Sequence, residues 1–232
     1  MSDAHQSRPK LYVEGPRMLD YDAAFELQLD RRERCLESEG RRNYLLLVEH
    51  TPVITVGRSG SRADVLADDD LLEQRGVRVV ATNRGGQVTF HGPGQLVVYP
   101  IVDLKLRGRD LHRYLRDLEA WLIGLCGTYG VPAHADGPHT GVWVEGRKIA
   151  SIGIAVRRWV AYHGVALNVN VDLDYFRLIV PCGVPEVEMT SLEREMGQAP
   201  PLENVAEKAA EAFAERFGMA MVGTEAPEVA AR

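Results

Sequence analysis

Two residues carry most of the chemistry this chain could perform. Cys182 lies in Val180-Pro181-Cys182-Gly183-Val184-Pro185, and Lys148 lies in Gly146-Arg147-Lys148-Ile149. Prolines and a glycine around the thiol argue against a regular strand or helix, so a loop presents it. The competing reading is a buried loop cysteine, since free cysteine is among the most buried residue types. Lysine is ordinarily solvent-facing, but Lys148 opens the apolar run 149–156, and a lysine entering a buried strand can point inward. An ammonium beside a thiol favours the thiolate, which is the nucleophile. A Cys182–Lys148 pair is therefore sufficient for acyl transfer, with thiolate attack, a thioester intermediate and a lysine that carries protons.

A second feature is Arg84-Gly85-Gly86-Gln87-Val88-Thr89-Phe90-His91-Gly92-Pro93-Gly94-Gln95. Glycine admits positive φ and lets a ligand approach the backbone, so this stretch reads as the wall of a binding site. It matches neither GxGxxG nor GxxxxGK[ST], the phosphate-cradling patterns. Ser151-Ile152-Gly153 is a candidate source of backbone N–H groups for an oxyanion near Lys148. His163, before Gly164-Val165-Ala166, is either a base or a structural histidine. His134, Asp136 and His139 lie close together without HExxH spacing, and no metal is expected there.

These residues must be held by a core. The chain has 232 residues, of which 45% are hydrophobic and 26% charged, as expected of a folded domain. A formal net charge of −6 argues against a general nucleic-acid binder. The apolar runs are too short to span a bilayer, and the polar residues 1–10 do not resemble a signal peptide. Three cysteines without a CxxC pair suit a reducing cytoplasm.

Periodicity places helices at 20–36 with Asp20 as N-cap, 69–75, 110–129 and 202–217. Residues 44–48, 53–56, 77–81 and 96–102 read as strands, 142–144 and 148–156 as a hairpin, and 159–171 as a further strand. The mixed order predicts an α+β fold with a mixed, largely antiparallel sheet. One catalytic domain is expected over 1–222, with its core at about 19–218 and a disordered tail at 223–232.

Together these segments resemble the lipoyl(octanoyl) transferases, in the biotin/lipoate protein ligase-like superfamily. The likeness rests on residues 84–95, on Gly146-Arg147-Lys148-Ile149-Ala150-Ser151-Ile152-Gly153, on His163-Gly164-Val165-Ala166-Leu167-Asn168-Val169-Asn170 and on Pro181-Cys182-Gly183. It implies that Cys182 takes an octanoyl group from octanoyl-acyl-carrier protein as a thioester. A lysine of an apo lipoyl domain, on a 2-oxoacid dehydrogenase E2 subunit or glycine-cleavage H protein, then receives it. The same likeness makes Lys148 the residue that lowers the cysteine pKa. It assigns substrate binding to Arg84, Gly85, Gly86, Gln87, Val88, Thr89, Phe90 and His91, to Ser151, Ile152 and Gly153, and to Gly164, Val165 and Ala166. No cofactor, nucleic acid or membrane is implied.

Three alternatives remain at this point: an ATP-dependent lipoate–protein ligase, which would not need Cys182; a non-catalytic lipoyl-domain binder; and a cysteine hydrolase pairing Cys182 with His91 or His163. Carrier proteins and lipoyl domains are acidic, so this acidic chain needs a local basic surface. Arg58, Arg62, Arg147, Arg157 and Arg158 are the candidates nearest the motifs.

Overall fold

The structure, a computed structural model, describes residues 8–137, 139–180 and 187–223. The chain opens with strand β1 (Lys10–Leu19) and helix α1 (Tyr21–Glu37). Asp20 starts the helix as expected, its carboxylate accepting the Ala23 N–H at 2.9 Å and satisfying a donor that no helical carbonyl can reach. Then follow β2 (Arg42–His50), β3 (Val53–Val56), α2 (Asp69–Gln74), β4 (Arg78–Ala81), β5 (Val88–His91) and β6 (Gln95–Asp103). Helix α3 (Leu111–Gly127), β7 (Gly141–Val144), β8 (Arg147–Arg157), β9 (Val160–Asn168), α4 (Leu192–Met196), α5 (Leu202–Phe217) and β10 (Ala220–Val222) complete the order.

Seven strands form one sheet in the order β10-β1-β2-β6-β9-β8-β7, and three form a second in the order β4-β3-β5. The β10-β1-β2 and β3-β4 contacts are parallel and the remaining pairs antiparallel, which is the mixed α+β arrangement the element order predicts. Every residue of the central strands β6 and β9 is buried. Helices α3 and α5 cover one face of the large sheet. Trp121 meets Phe213 edge-on at 5.1 Å between ring centroids and donates its indole N–H to Ala209 O at 3.0 Å. Helix α1 covers the other face, packing Ala24 and Cys35 over Tyr44, Val97 and Ala166.

Several boundaries differ from the periodicity. The sheet also takes in β1 and β10, which save for Leu19 lie outside residues 19–218; β1 is interrupted at Gly15-Pro16 and β10 has three residues, so neither shows clear alternation. Residues 88–91, within the glycine-rich stretch to which periodicity assigns no element, form β5, antiparallel to β3. The strand read through 171 stops at Asn168 because the N–H groups of Val169 and Asn170 both turn to Gly94 O, at 3.1 and 2.9 Å. Gly94 has φ +84 and a side chain there would lie 2.7 Å from Asn170 C, so only glycine permits that crossing. Of the expected tail, residues 224–232 lie outside the described residues.

Phe213 is fully buried between Trp121 and Phe217. Phe213→Ala is expected to lower unfolding free energy by about 3–5 kcal/mol. Urea denaturation should show this as a lower midpoint at unchanged slope.

Candidate active site

A cavity of about 380 Å³ opens where β7 stops short of the end of β8. Its floor comes from β6 and β9 through Val97, Tyr99 and Gly164–Ala166, and its walls from residues 84–89 and His91. Leu111 and Leu115 of α3 and Ile152 and Ile154 of β8 add apolar lining. The Gly85 N–H bonds Ile154 O at 2.8 Å, so the glycine-rich stretch closes the edge of β8 that β7 leaves uncovered. Its glycines allow that approach: a Cβ on Gly153 would stand 2.8 Å from Gly85 O, and one on Gly164 would stand 2.1 Å from Val98 O.

Lys148 reaches this cavity through a change of register. Gly141 pairs with Ser151 and Val142 with Ala150, but Trp143 pairs with Lys148 and Val144 with Arg147. Ile149 is therefore the extra residue of a β-bulge. Alternation alone would give Lys148 the face of Ala150, which belongs to the α3–α5 core; the bulge gives it the face of Ser151. There the side chain is 2% exposed. Its Nζ donates to Thr140 O at 3.0 Å and lies 5.2 Å from the Trp143 ring centroid. Both a carbonyl and an aromatic face suit an ammonium. Gly141 leaves the path clear, since a Cβ there would lie 2.5 Å from Lys148 Cε.

Cys182 lies outside the described residues, which exclude 181–186. The chain on either side of that segment is tied down. Val180 N–H bonds Asp64 O at 2.7 Å, while Lys148 N–H bonds Glu188 O at 2.8 Å and Thr190 N–H bonds Lys148 O at 2.9 Å. The backbone of Lys148 thus forms a bridge with Met189, close after the segment that carries the cysteine. The other two cysteines belong to the core: burial pushes the thiols of Cys35 and Cys126 up to about 12, where they are unreactive.

Thirteen of the fourteen expected substrate-binding residues line the cavity. Phe90 does not. It is fully buried in the small sheet's core, stacked on Tyr175 at 4.6 Å, because alternation in β5 sends Thr89 and His91 to the other side. Tyr21, Val97, Tyr99, Leu111, Leu115, Thr140, Ile154 and Met189 also line the cavity. Leu111 and Leu115 read as core in the helical periodicity. Thr140 and Met189 carry no sequence signal. Arg58, Arg62, Arg157 and Arg158 do not line it. Arg147 is turned to Glu195 at 3.1 Å. His134 lies against Asp136, and no group of three metal-ligating side chains is found among the described residues.

The polar residues of the cavity are held by one another. Arg84, 8% exposed, gives two hydrogen bonds to Thr55 Oγ1, at 3.1 and 2.8 Å, and one to Thr55 O at 2.7 Å. Gln95 donates to Asn168 Oδ1 and Phe90 O, so its own oxygen accepts from His91 Nδ1 at 2.7 Å. This assigns the proton to Nδ1 and leaves Nε2 as the acceptor. Asn168 in turn donates to Thr190 O at 2.9 Å. His163, at φ +56 within β9, sends its N–H out of the ladder to Gln28 Oε1 at 2.9 Å.

The histidines here are kept neutral. Burial, with repulsion from His50 and Arg84, holds His91 well below its ordinary value. Burial, with Arg84 and Arg58, lowers His163 to about 3, and burial lowers His50 to about 4.

These features define a domain with a largely apolar cavity beside a buried lysine, and comparison with known proteins assigns it. The lipoyl protein ligase A/B catalytic domain matches residues 22–214, and the chain belongs to that family. A relative from Geobacter metallireducens named octanoyltransferase is 48% identical over 195 residues, covering 84% of this chain and 88% of its own. A crystal structure of lipoate-protein ligase A bound with ATP superimposes with a TM-score of 0.74 at 16% identity, over 96% of this chain and 90% of that one. Biotin protein ligase from Aquifex aeolicus in complex with biotin and ATP gives 0.52 at 12% identity, over 90% and 70%. These two structural likenesses concern the fold.

Protonating a histidine that is buried neutral favours the unfolded chain, whose imidazole takes the proton near 6.5. The penalty is absent above that value and grows as pH falls toward the folded value, about 4 for His50. His50→Gln is therefore expected to flatten the loss of stability in this window by about 1.4 kcal/mol per pH unit. Urea midpoints at successive pH values measure it, and an unchanged slope contradicts it.

Proposed function

We propose that this chain is an octanoyltransferase of protein lipoylation that works through an acyl-enzyme on Cys182. The observation that carries the reading is the Ile149 bulge, which turns a buried lysine toward the cavity while its backbone holds the chain just beyond the Cys182 segment. The family match and the octanoyltransferase relatives support the reaction class.

The donor is octanoyl-acyl-carrier protein. The Cys182 thiolate, stabilised by the Lys148 ammonium, attacks the thioester carbonyl, and the carrier thiolate leaves with a proton from Lys148. An apo lipoyl domain of a 2-oxoacid dehydrogenase E2 subunit or glycine-cleavage H protein then presents its lysine as the neutral amine. Its nitrogen attacks the Cys182 thioester, the C–S bond breaks, and the surplus proton passes to Lys148. Thiolate and ammonium are restored, with an amide formed and one carrier thiol released.

The octanoyl chain occupies the slot between the glycine-rich stretch and the β8–β9 floor. Each buried CH₂ contributes about 0.8 kcal/mol, so a slot matched to eight carbons disfavours a chain one carbon shorter roughly fourfold. Burial, with a smaller contribution from Arg84, keeps His91 and His163 uncharged beside that apolar chain. A cytoplasmic setting belongs to this proposal, and three cysteines without a CxxC pair suit it.

Intact-mass analysis after mixing with octanoyl-acyl-carrier protein should show one octanoyl adduct, absent in Cys182→Ser, with transfer to a lipoyl domain reduced by about three orders of magnitude or more. Full transfer by Cys182→Ser, or activity only with ATP and free octanoate, contradicts the covalent mechanism.

A further inference from the structure

One end of the molecule departs from the overall acidity. The chain carries 33 Asp and Glu against 27 Lys and Arg. Yet residues 104–116 and 157–158 together hold seven Lys or Arg and a single acid, Asp110. The two stretches are adjacent in space. The turn at the tip of the β8–β9 hairpin is fastened to the turn before α3, where Leu104 N–H bonds Trp159 O at 2.7 Å. The neighbouring acids pair with only two of the seven: Asp103 faces Lys105, and Asp117 faces Arg107 and Arg216. Arg109, Arg113, Arg116, Arg157 and Arg158 are exposed.

The same surface is apolar at its centre. Among the described residues six large hydrophobic side chains are exposed, and three are here: Leu106 at 57%, Leu111 at 38% and Trp159 at 39%. Trp159 has φ +68 and Arg158 has φ +52, positions of a tight hairpin turn where Asn and Gly are favoured. The turn holds a bulky ring in a strained conformation with its side chain exposed, and strain of this kind points to use. Exposed tryptophan and arginine are the side chains most often found at the energetic centre of protein interfaces. Leu111 also lines the cavity, with Leu115, Ile152 and Ile154 beyond it, so an apolar lip joins this surface to the site of Lys148.

We propose that this basic, tryptophan-bearing end docks the acidic protein that donates the acyl group, and not the protein that receives it. Charge complementarity selects an acidic partner. The lip distinguishes the two proteins of the reaction. A donor brings an eight-carbon chain that gains by sliding along Leu111 and Leu115. An acceptor approaches with its lysine still an ammonium, losing that proton to solvent only on entering the site; five exposed arginines repel it and an apolar lip does not serve it. This inference rests on the acyl-transfer reading above.

The test uses the full chain and measures binding apart from catalysis. In Arg113→Glu/Arg157→Glu, the new glutamate at 113 sits in the first turn of α3, where a carboxylate suits the helix end. In Trp159→Gly, the new residue suits φ +68. Anisotropy of labelled acyl-carrier protein should show a Kd raised about tenfold by the double charge reversal, and weakened for the wild type by added salt. Trp159→Gly should also weaken it, with folding kept. Steady-state assays should show the KM for octanoyl-carrier protein raised in both variants. The KM for the lipoyl domain and the turnover of octanoyl N-acetylcysteamine thioester, a donor with no protein surface, should not change. An unchanged Kd for the carrier in both variants, or a raised KM for the lipoyl domain instead, overturns the proposal. A wild-type chain that binds carrier but forms no octanoyl adduct with either donor contradicts the acyl-enzyme reading and leaves the Kd comparison to decide the surface.

Discussion

A β-strand alternates its side chains strictly, so the face that Lys148 takes is decided by the number of residues between it and the paired positions at Ala150 and Ser151. The bulge at Ile149 changes that number by one. It moves an amine from the α3–α5 core, where an ammonium would face a prohibitive desolvation penalty, to a cavity where a carbonyl and an indole face receive it. Gly141, Thr140 and Trp143 are arranged around that displacement. The backbone of Lys148 also accepts the chain that returns from 181–186 through Glu188 and Thr190. The residue whose direction the bulge sets is thus also the one whose backbone anchors Glu188 and Thr190.

The surroundings favour a cavity with few charges. Arg84 is spread over Thr55 and Gly85, and its field combines with burial to keep His91 and His163 as neutral imidazoles. The His91–Gln95–Asn168–Thr190 chain fixes the tautomer of His91 and ends at the backbone that pairs with Lys148. The polar floor and the lysine are thus parts of one hydrogen-bonded structure, in which satisfied partners give rigidity. An acyl chain entering this cavity meets glycine backbone, valines and uncharged rings.

Much of this was legible in the sequence where a single residue type has a single physical use. The amphipathic periods of α1, α3 and α5, the Asp20 cap and the β7–β8 turn at Glu145-Gly146 follow from local rules. The glycines at 85, 153 and 164 mark close backbone approaches, and those approaches wall the cavity. Other features depend on distant partners. Strand β1, interrupted by Gly15-Pro16, is held by pairing with β2 and β10 and has little pattern of its own. Phe90 sits inside a motif, yet the register of β5 against β3 turns it to the core. The bulge at Ile149 is a property of two strands and is invisible in either one. Leu111 looks like any leucine of a helical stripe until the cavity forms beside it.

The central claim is that Lys148 sets the charge state of the Cys182 thiol. Because Cys35 and Cys126 are buried and their thiols lie near 12, alkylation of the native chain by iodoacetamide reports Cys182. Measured against pH, the rate should rise at distinctly lower pH in the wild type than in Lys148→Met, with both variants folded. Superimposable profiles would show that the thiolate does not depend on Lys148, and would contradict the account.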